Sequence, residues 1–309
     1  DAAGNAGSAS VNVSSKDTAA PAAPVVITPS DHSEVTTRLV SLSGTGEAGA
    51  TVNVNVSGQS AACLASVNSS GIWACTLSQA LSSGMSTISV TQTDAAGNTS
   101  AATTLTLEQR PMVLVFNTAL GTGNTVTLPL YGSVDVLVNW GDGSTNSYNT
   151  PGDKTHTYTN PGTYTVSVAG SLTIFGKGSS SYADANKLTQ VTDFGTLGLT
   201  SLTGAFAGAV NLTAVPAALP KTVTNLSFLF YGATSFNQDI GSWNTANVTS
   251  MGVMFQSASA FNNGGSSSIG NWNVASVTSM ANMFLGAAAF NQPIGNWNTA
   301  NVVSMEIGR

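Results

Sequence analysis

Apolar and polar residues alternate along several short stretches of this chain, and where they alternate the period is two. In Thr51-Val52-Asn53-Val54-Asn55-Val56 the valines share one face, and Ile88 and Val90 repeat the pattern, with turn signals at Gly44-Thr45-Gly46 and Gly71. Short strands at this spacing predict a β-sandwich. Farther on, Val134, Val136, Val138 and Trp140 fall on one face and are followed at once by Gly141-Asp142-Gly143, a hairpin signal. Tyr164, Val166 and Val168 again face one way, so residues 110 to 176 read as a second all-β unit.

From about residue 200 the rhythm changes. Phe-x-x-Ala-x-x-Phe or Leu recurs as Phe206-Ala209-Leu212, Phe230-Ala233-Phe236, Phe255-Ala258-Phe261 and Phe284-Ala287-Phe290, with starts 24, 25 and 29 residues apart. The last three are each followed by Ile-Gly-x-Trp-Asn, and Val248 to Met251, Val277 to Met280 and Val302 to Met305 are copies of a further element. Apolar residues three apart predict a helical or 3-10 turn, while Asn-Val-Thr-Ser-Met is short and β-prone. A coil of this length has about six large apolar side chains, each contributing roughly 1.5 to 3 kcal/mol when buried. Ordering costs roughly 1 to 2 kcal/mol per residue, so a lone coil does not fold and stacking must complete its core. The 29-residue step carries the insert Gly264 to Ser268, which must bulge outward because the phase resumes after it. The stretch Leu202 to Pro220 lacks the Ile-Gly-x-Trp-Asn element and is expected to cap the stack or join it to what precedes.

A longer repeat frames the first third. Asp1-Ala2-Ala3-Gly4-Asn5 returns as Asp94-Ala95-Ala96-Gly97-Asn98, 93 positions later, and Asp17 to Pro24 is a Pro- and Ala-rich linker. The expected organisation is the tail of a preceding domain at 1–16, a domain at 17–108, a second at 109–176 and the repeats at 177–309, the whole mainly β. The start falls within a domain and the last repeat is unfinished, so the chain is expected to be a piece of a longer array.

Composition narrows the function. Charged residues make up 7% of the 309, 42% are apolar and the net charge is −6. The clear apolar patterns argue for packed cores rather than disorder, and the scattered basic residues give no footing for nucleic acid. No apolar run approaches the roughly 20 residues needed to cross a bilayer, and the first residues do not resemble a signal peptide, so an export signal or anchor is expected outside this stretch. Cys63 and Cys75 flank Asn68-Ser69-Ser70-Gly71 almost symmetrically, which places them opposite each other on neighbouring antiparallel strands and allows a disulfide. Two buried free thiols are the plain alternative, and zinc lacks the histidines to complete four ligands. The disulfide reading points to export and an extracellular or surface location.

Three resemblances follow from these motifs. Gly44-Thr45-Gly46-Glu47-Ala48-Gly49-Ala50-Thr51-Val52, the Gly71-Ile72-Trp73 hairpin and the Thr93-to-Asn98 ending resemble tandem bacterial Ig-like domains of giant adhesins. That likeness implies an Ig-like β-sandwich serving as a spacer. Some relatives bind calcium at domain junctions, where Asp17, Asp94 and Asn98 would be this chain's candidates, although two acids fall short of the usual six to eight oxygens and a plain turn explains Asp94 and Asn98 as well. Trp140 to Gly143, His156-Thr157-Tyr158 and Pro161 to Val166 resemble a PKD domain, which implies a PKD-like β-sandwich. Met-Phe-x-x-Ala-x-x-Phe-Asn-Gln-x-Ile-Gly-x-Trp-Asn-Thr resembles the BspA-like leucine-rich-repeat surface proteins, which implies a short β/3-10 solenoid used in surface attachment.

Candidate chemistry is sparse. His156 and Asp142 read as an acid-base or metal pair only if a nucleophile and an orienting group accompany them, and His32 lies in a linker-proximal segment; packing of His156 against Trp140 accounts for both more simply. The reading is therefore non-enzymatic, with no cofactor beyond the calcium candidates. Trp243, Trp272 and Trp297 would form a ladder suited to carbohydrate if exposed, but their fixed place after Ile-Gly favours the core. A Thr row suited to ice is broken at Val274 and Val303. Asn244, Asn273 and Asn298 are expected to stack as an internal amide ladder. The expected partner is a host-cell, matrix, glycan or neighbouring-cell surface ligand presented to the repeats. The rival is a structural stalk or filament subunit that self-associates through the repeat end at Val302, Val303 and Met305, and neither reading involves membrane insertion.

Overall fold

The computed structural model describes residues 16–59 and 62–305, with the backbone alone at residue 62. The expected tail of a preceding domain lies largely outside the described residues. The chain divides into two compact units, one of Asp1–Asp31, Ser41–Gln79 and Thr87–Thr106, the other of His32–Val40, Ala80–Ser86 and Leu107–Arg309. Among the described residues the elements are strands, turns and short 3-10 segments, without an α-helix.

Strands along the first third are β1 (Val25–Thr28), β2 (Ser33–Glu34), β3 (Ser41–Thr45), β4 (Thr51–Val56), β5 (Ala62–Ser66), β6 (Ile72–Thr76), β7 (Gly84–Thr93) and β8 (Thr103–Gln109). One sheet has the order β1-β3-β6; a second runs β8-β7-β4-β5, with β2 laid parallel to the end of β8. The alternation read at 51–56 holds: Val52, Val54 and Val56 are buried while Thr51 and Asn55 face solvent. Leu42 and Trp73 of the first sheet and Ile88 and Val90 of the second are buried too.

Two local readings need correction. Gly44, read as part of a turn, sits inside β3, because a Cβ there would overlap the Val25 carbonyl oxygen and crowd the Trp73 ring, so only glycine lets these strands approach. The turn at Asn68 to Gly71 does form, with Asn68 bonding Ile72 and Gly71 through the main chain. Its flanking strands then part: β5 pairs with β4 and β6 with β3. The Cys63–Cys75 disulfide, with Cα atoms 5.9 Å apart, therefore joins the two sheets rather than two strands of one hairpin ladder. Closing a loop this short stabilises the fold by about 3 kcal/mol.

The second unit opens with β9 (Met112–Asn117), β10 (Thr125–Asn139), β11 (Thr145–Tyr148), β12 (Gly152–Thr157), β13 (Thr163–Phe175) and β14 (Leu188–Asp193). Their sheet has the order β11-β10-β13-β9-β14, with β12 also paired to β10. The expected hairpin closes at Gly141 to Gly143, where Asn139 faces Thr145 and the Trp140 N–H donates to the Ser144 carbonyl. Gly141 has φ 83°, and a Cβ there would overlap the Thr165 carbonyl oxygen, so the turn requires glycine twice over.

The repeats begin as an extension of this sheet. Parallel bridges run Ile174 to Ser201 to Asn225 to Ser250 to Ser279 to Ser304, one residue per coil, and a further bridge joins Gln190 to Ala214. The stretch Leu202 to Pro220 therefore joins the stack to the sheet, the second of the two roles expected for it. Each Phe-x-x-Ala-x-x-Phe segment is a pair of tight turns, as at Ala233 to Phe230 and Phe236 to Ala233, where each N–H donates to the carbonyl three residues back. The three-residue spacing thus gives 3-10-type bonding without a continuous helix. The insert carries 3-10 segments at Asn263–Gly265 and Ser267–Asn271, with Gly264, Gly265 and Ser267 exposed as the outward bulge requires.

One core runs without interruption from Met112 and Leu114 in the sheet to Met283 and Trp297 in the repeats. Within it rings stack in columns: Phe206, Phe230, Phe255 and Phe284 follow each other at 5.7, 5.5 and 5.5 Å, and Phe236, Phe261 and Phe290 at 5.9 and 5.9 Å. Within a coil the two phenylalanines lie face to face, at 3.9 Å for Phe255 and Phe261. Such pairs contribute roughly 0.5 to 1.5 kcal/mol beyond the area they bury.

Every coil turns at a left-handed residue in an equivalent place: Gly204, Phe228, Val253 and Asn282, with φ 66, 59, 63 and 54°. Glycine and asparagine adopt this conformation readily; phenylalanine and a β-branched valine do so at a cost of roughly 1 to 2 kcal/mol. Replacing Val253 by the asparagine that its counterpart Asn282 already uses is expected to raise stability by about 0.5 to 1 kcal/mol, a thermal shift of about 1 to 4 °C. Thermal unfolding followed by circular dichroism checks this, and an unchanged or lower midpoint for Val253→Asn contradicts the strain.

Candidate functional site

The calcium candidates lie together but are already occupied with one another. Both carboxylate oxygens of Asp94 accept from Asn98, one from its N–H and one from its amide, each at 2.8 Å. The same amide donates to the Asp17 carbonyl at 3.2 Å, while an Asp17 carboxylate oxygen caps the Ala19 N–H. These bonds, the Asn98 amide first, hold the Asp94 carboxyl below its ordinary range. Two acids engaged in a closed turn do not supply the oxygen count calcium takes, and among the described residues no group of three or more His, Cys, Asp or Glu is placed to hold a metal.

Asp142 and His156 do meet, at 2.7 Å between Oδ2 and Nε2. The imidazole stacks on Trp140 with centroids 4.9 Å apart and meets Tyr158 edge-on at 4.6 Å; Tyr158 in turn stacks on Tyr164 and donates its hydroxyl to the Trp140 carbonyl. Every member of the cluster is thus engaged in holding the end of the hairpin against β13. The Ser144 hydroxyl and N–H, followed by His156, hold the Asp142 carboxyl far below its ordinary value, and burial pushes the Tyr158 hydroxyl far up. The Asp142 shift stems from a satisfied turn; the Ser144 hydroxyl beside the pair donates to the Asp142 carboxylate and lies 3.5 Å from the His156 Nε2, so its proton is engaged by the carboxylate rather than by the imidazole.

Two features of the second unit were not read from the sequence. Lys187 is fully buried, its ammonium donating to the carbonyls of Thr122 and Thr125 at 3.0 and 2.7 Å and to Asp184 at 2.7 Å. A lysine and an aspartate three residues apart give no warning of this, since the carbonyls come from the start of β10 and the turn before it, distant in sequence. Arg110 donates to both oxygens of Asp193 at 2.9 Å and also pairs with Glu108 and Glu34, so one guanidinium is shared among three carboxylates, which outnumber it.

The stack surface is a further candidate. Trp243, Trp272 and Trp297 are buried, stack on one another at 6.5 and 6.1 Å, and each indole N–H donates to a main-chain carbonyl of the coil before: Pro216, Ile240 and Ile269. They are core, as their offset from Ile-Gly suggested. The amide ladder exists, but not where expected. Asn244, Asn273 and Asn298 are exposed and each side chain caps the N–H two residues on. Asparagines that do bond from coil to coil include Asn237, which accepts from the N–H groups of Asn262 and Gly264, Asn262, which accepts from the Asn291 N–H, and Asn247 and Asn301, whose amides donate to the Lys221 and Ala275 carbonyls. The reason is local: an Asn followed two residues later by a free N–H closes its own turn before it can reach a neighbour.

Outside, threonines at equivalent places form an exposed row, Thr200, Thr224, Thr249 and Thr278, ending at Val303. Each hydroxyl from Thr224 on donates to the threonine carbonyl of the coil before, so the row turns its donors inward. Between residues 200 and 305 the charged side chains are Lys221 and Asp239 alone, a signal present in the sequence from the start. At the end of the described stack Val303 is 89% exposed and Met305 48%, and Phe284, Phe290, Ile294 and Val302 are only partly covered, whereas Phe255, Phe261 and Ile269 one coil earlier are fully buried.

The Asp142 cluster yields a test of its structural role. Because the folded-state carboxyl is held below its ordinary value of 3.8, its contribution is present above that pH and is lost as acid protonates the folded form. Asp142→Asn is expected to cost about 1 kcal/mol near pH 6, with the gap to wild type closing as pH falls below about 4. Chemical denaturation at both pH values measures it, and a gap that does not change with pH contradicts the assignment.

Comparison with known families agrees with this geometry. Residues 20–109 match the family described as Bacterial Ig domain. Residues 179–268 and 200–307 match the family described as Mycoplasma protein of unknown function, DUF285, a BspA-like family. No curated protein matches the chain. Neither family is one of enzymes, and a bacterial Ig domain together with a disulfide points to an extracellular or surface-associated protein.

Proposed function

We propose that this chain is a non-enzymatic adhesion or ligand-binding protein, in which an Ig-like domain at 17–108 and a PKD-like domain at 109–176 act as spacers. In this reading residues 177–309 form a leucine-rich, BspA-like solenoid that meets the ligand on a host cell, matrix, glycan or neighbouring cell. The observation that carries the reading is the division of labour in the stack. Its large apolar side chains are spent on joining coil to coil, and its outer rows are short, polar and nearly free of charge. Such a surface is regular, rigid and extensible, which suits contact with another surface better than chemistry on a small molecule. Immobilised chain is expected to capture host cells or purified matrix proteins saturably, with soluble chain competing; no capture across cells, matrix proteins and glycans would leave only the structural reading.

A second reading rests on the partly covered coil at 284–305. There the chain is a stalk or filament subunit, and a second copy docks on Val302, Val303 and Met305 as one coil docks on the next. Val303→Asp is then expected to dissolve an oligomer seen by analytical ultracentrifugation of the wild type. A wild type that stays monomeric at high concentration removes this reading.

A further inference from the structure

The two left-handed positions filled by the wrong residue types lie side by side. At this place in the coil the chain uses Gly204 and Asn282 in the first and fourth repeats, residues that adopt the conformation without strain, and Phe228 and Val253 in the second and third. The turn therefore does not need these side chains. Neither does the core: both are only half-buried, and neither belongs to the apolar cluster that runs through the stack. Strain kept where a less strained residue is at hand is what a site on the coil surface would account for.

The main chain sets out what surrounds them. The Phe228 N–H donates to the Gly252 carbonyl at 3.0 Å and the Gly232 N–H to the Gln256 carbonyl at 2.8 Å, so Phe228 and Tyr231 on one coil are aligned with Val253 and Gln256 on the next. The Phe228 and Tyr231 rings meet edge to face at 6.3 Å and 74°, and all four residues are half-buried. The patch thus combines two aromatic rings, an aliphatic side chain, a phenol hydroxyl and an amide. It carries no charge, and the two charged residues of the stack lie elsewhere: Asp239 is bound to Asn263 and Ser268 of the insert, and Lys221 sits in the loop after Pro220.

We infer that Phe228, Tyr231, Val253 and Gln256 form a binding site for a neutral oligosaccharide. A charged ligand would lose hydration here without meeting a counter-charge. A pyranose offers the complement the patch calls for, with C–H faces for the rings and hydroxyls for the phenol and the amide. This inference rests on the ligand-binding reading of the repeats and names its ligand class.

The test uses the full chain with maltohexaose, cellohexaose and chitohexaose as neutral probes and a heparin hexasaccharide as the charged one, by saturation-transfer NMR and calorimetry. At least one neutral probe is expected to bind, with an affinity that changes less than about twofold between about 50 and 500 mM salt. Tyr231→Ala and Phe228→Gly are each expected to weaken it about tenfold or more while staying folded by circular dichroism, since in Phe228→Gly the relief of strain offsets the lost ring contact with Tyr231. Binding by heparin alone, full affinity in both variants, or no neutral probe bound at about 10 mM overturns the site. If the glycans fail while the chain and both variants still capture cells or matrix protein, the site falls and the adhesion reading stands; if the wild type captures nothing either, both fall.

Discussion

No coil of this chain completes its own interior, and the rest of the second unit follows from that constraint. Each repeat offers a few large side chains and closes its turns with local bonds, but the rings find their partners one coil away. The backbone does the same. The N–H groups of Leu226, Phe228, Phe230 and Gly232 donate to the carbonyls of Ser250, Gly252, Met254 and Gln256, and those of Met251, Val253 and Phe255 donate onward in turn. Burial and hydrogen bonding therefore favour the same register, which is why the phase resumes after the insert at 264–268. The sheet of β9 to β14 supplies what the first coil lacks: Phe175 and Gly178 donate to Ser201 and Thr203, and Leu188, Val191 and Phe194 extend the core into the repeats.

This division explains where many of the residues suited to chemistry have gone. Aromatic residues, histidine and acids are the usual material of sites, and here many are committed to structure: Trp243, Trp272 and Trp297 to the stack, His156 and Asp142 to a hairpin end, Asp94 and Asn98 to a turn, Arg110 to its ring of carboxylates. The outer surface of the coils is one place left for interaction. There the departures from the economical residue, such as Phe228 and Val253, are more telling than the repeats themselves.

The sequence carried the framework because its periods are physical. Valines two apart at 52 to 56 had to share a face, Gly141-Asp142-Gly143 had to turn, and the phase of Phe, Ala and Phe had to give stacked coils of short-range turns. It was less informative wherever a residue's role depends on strands that meet only in space. Cys63 and Cys75 flank a true turn, yet the sandwich sends their strands to different sheets. Gly44 resembled a turn glycine, though what it accommodates is the main chain of β1. Asn244, Asn273 and Asn298 had the periodicity of a ladder, but local capping won over the longer reach. Lys187 is held by carbonyls more than sixty residues earlier, and the left-handed turn positions are visible only once the backbone is known.

The central claim is that protection of each coil is supplied by its neighbours, and native-state hydrogen exchange after cutting one ring out of the column tests it. Phe255→Ala removes a side chain that touches rings on both adjacent coils, at a cost of about 3 to 5 kcal/mol. The amides of Leu226 and Phe228 in the coil before, of Met251 and Val253 in its own coil and of Met280 in the coil after are expected to lose protection together. Faster exchange confined to the coil of Phe255, with its neighbours as protected as in the wild type, would show that the coils are independent and contradict the account.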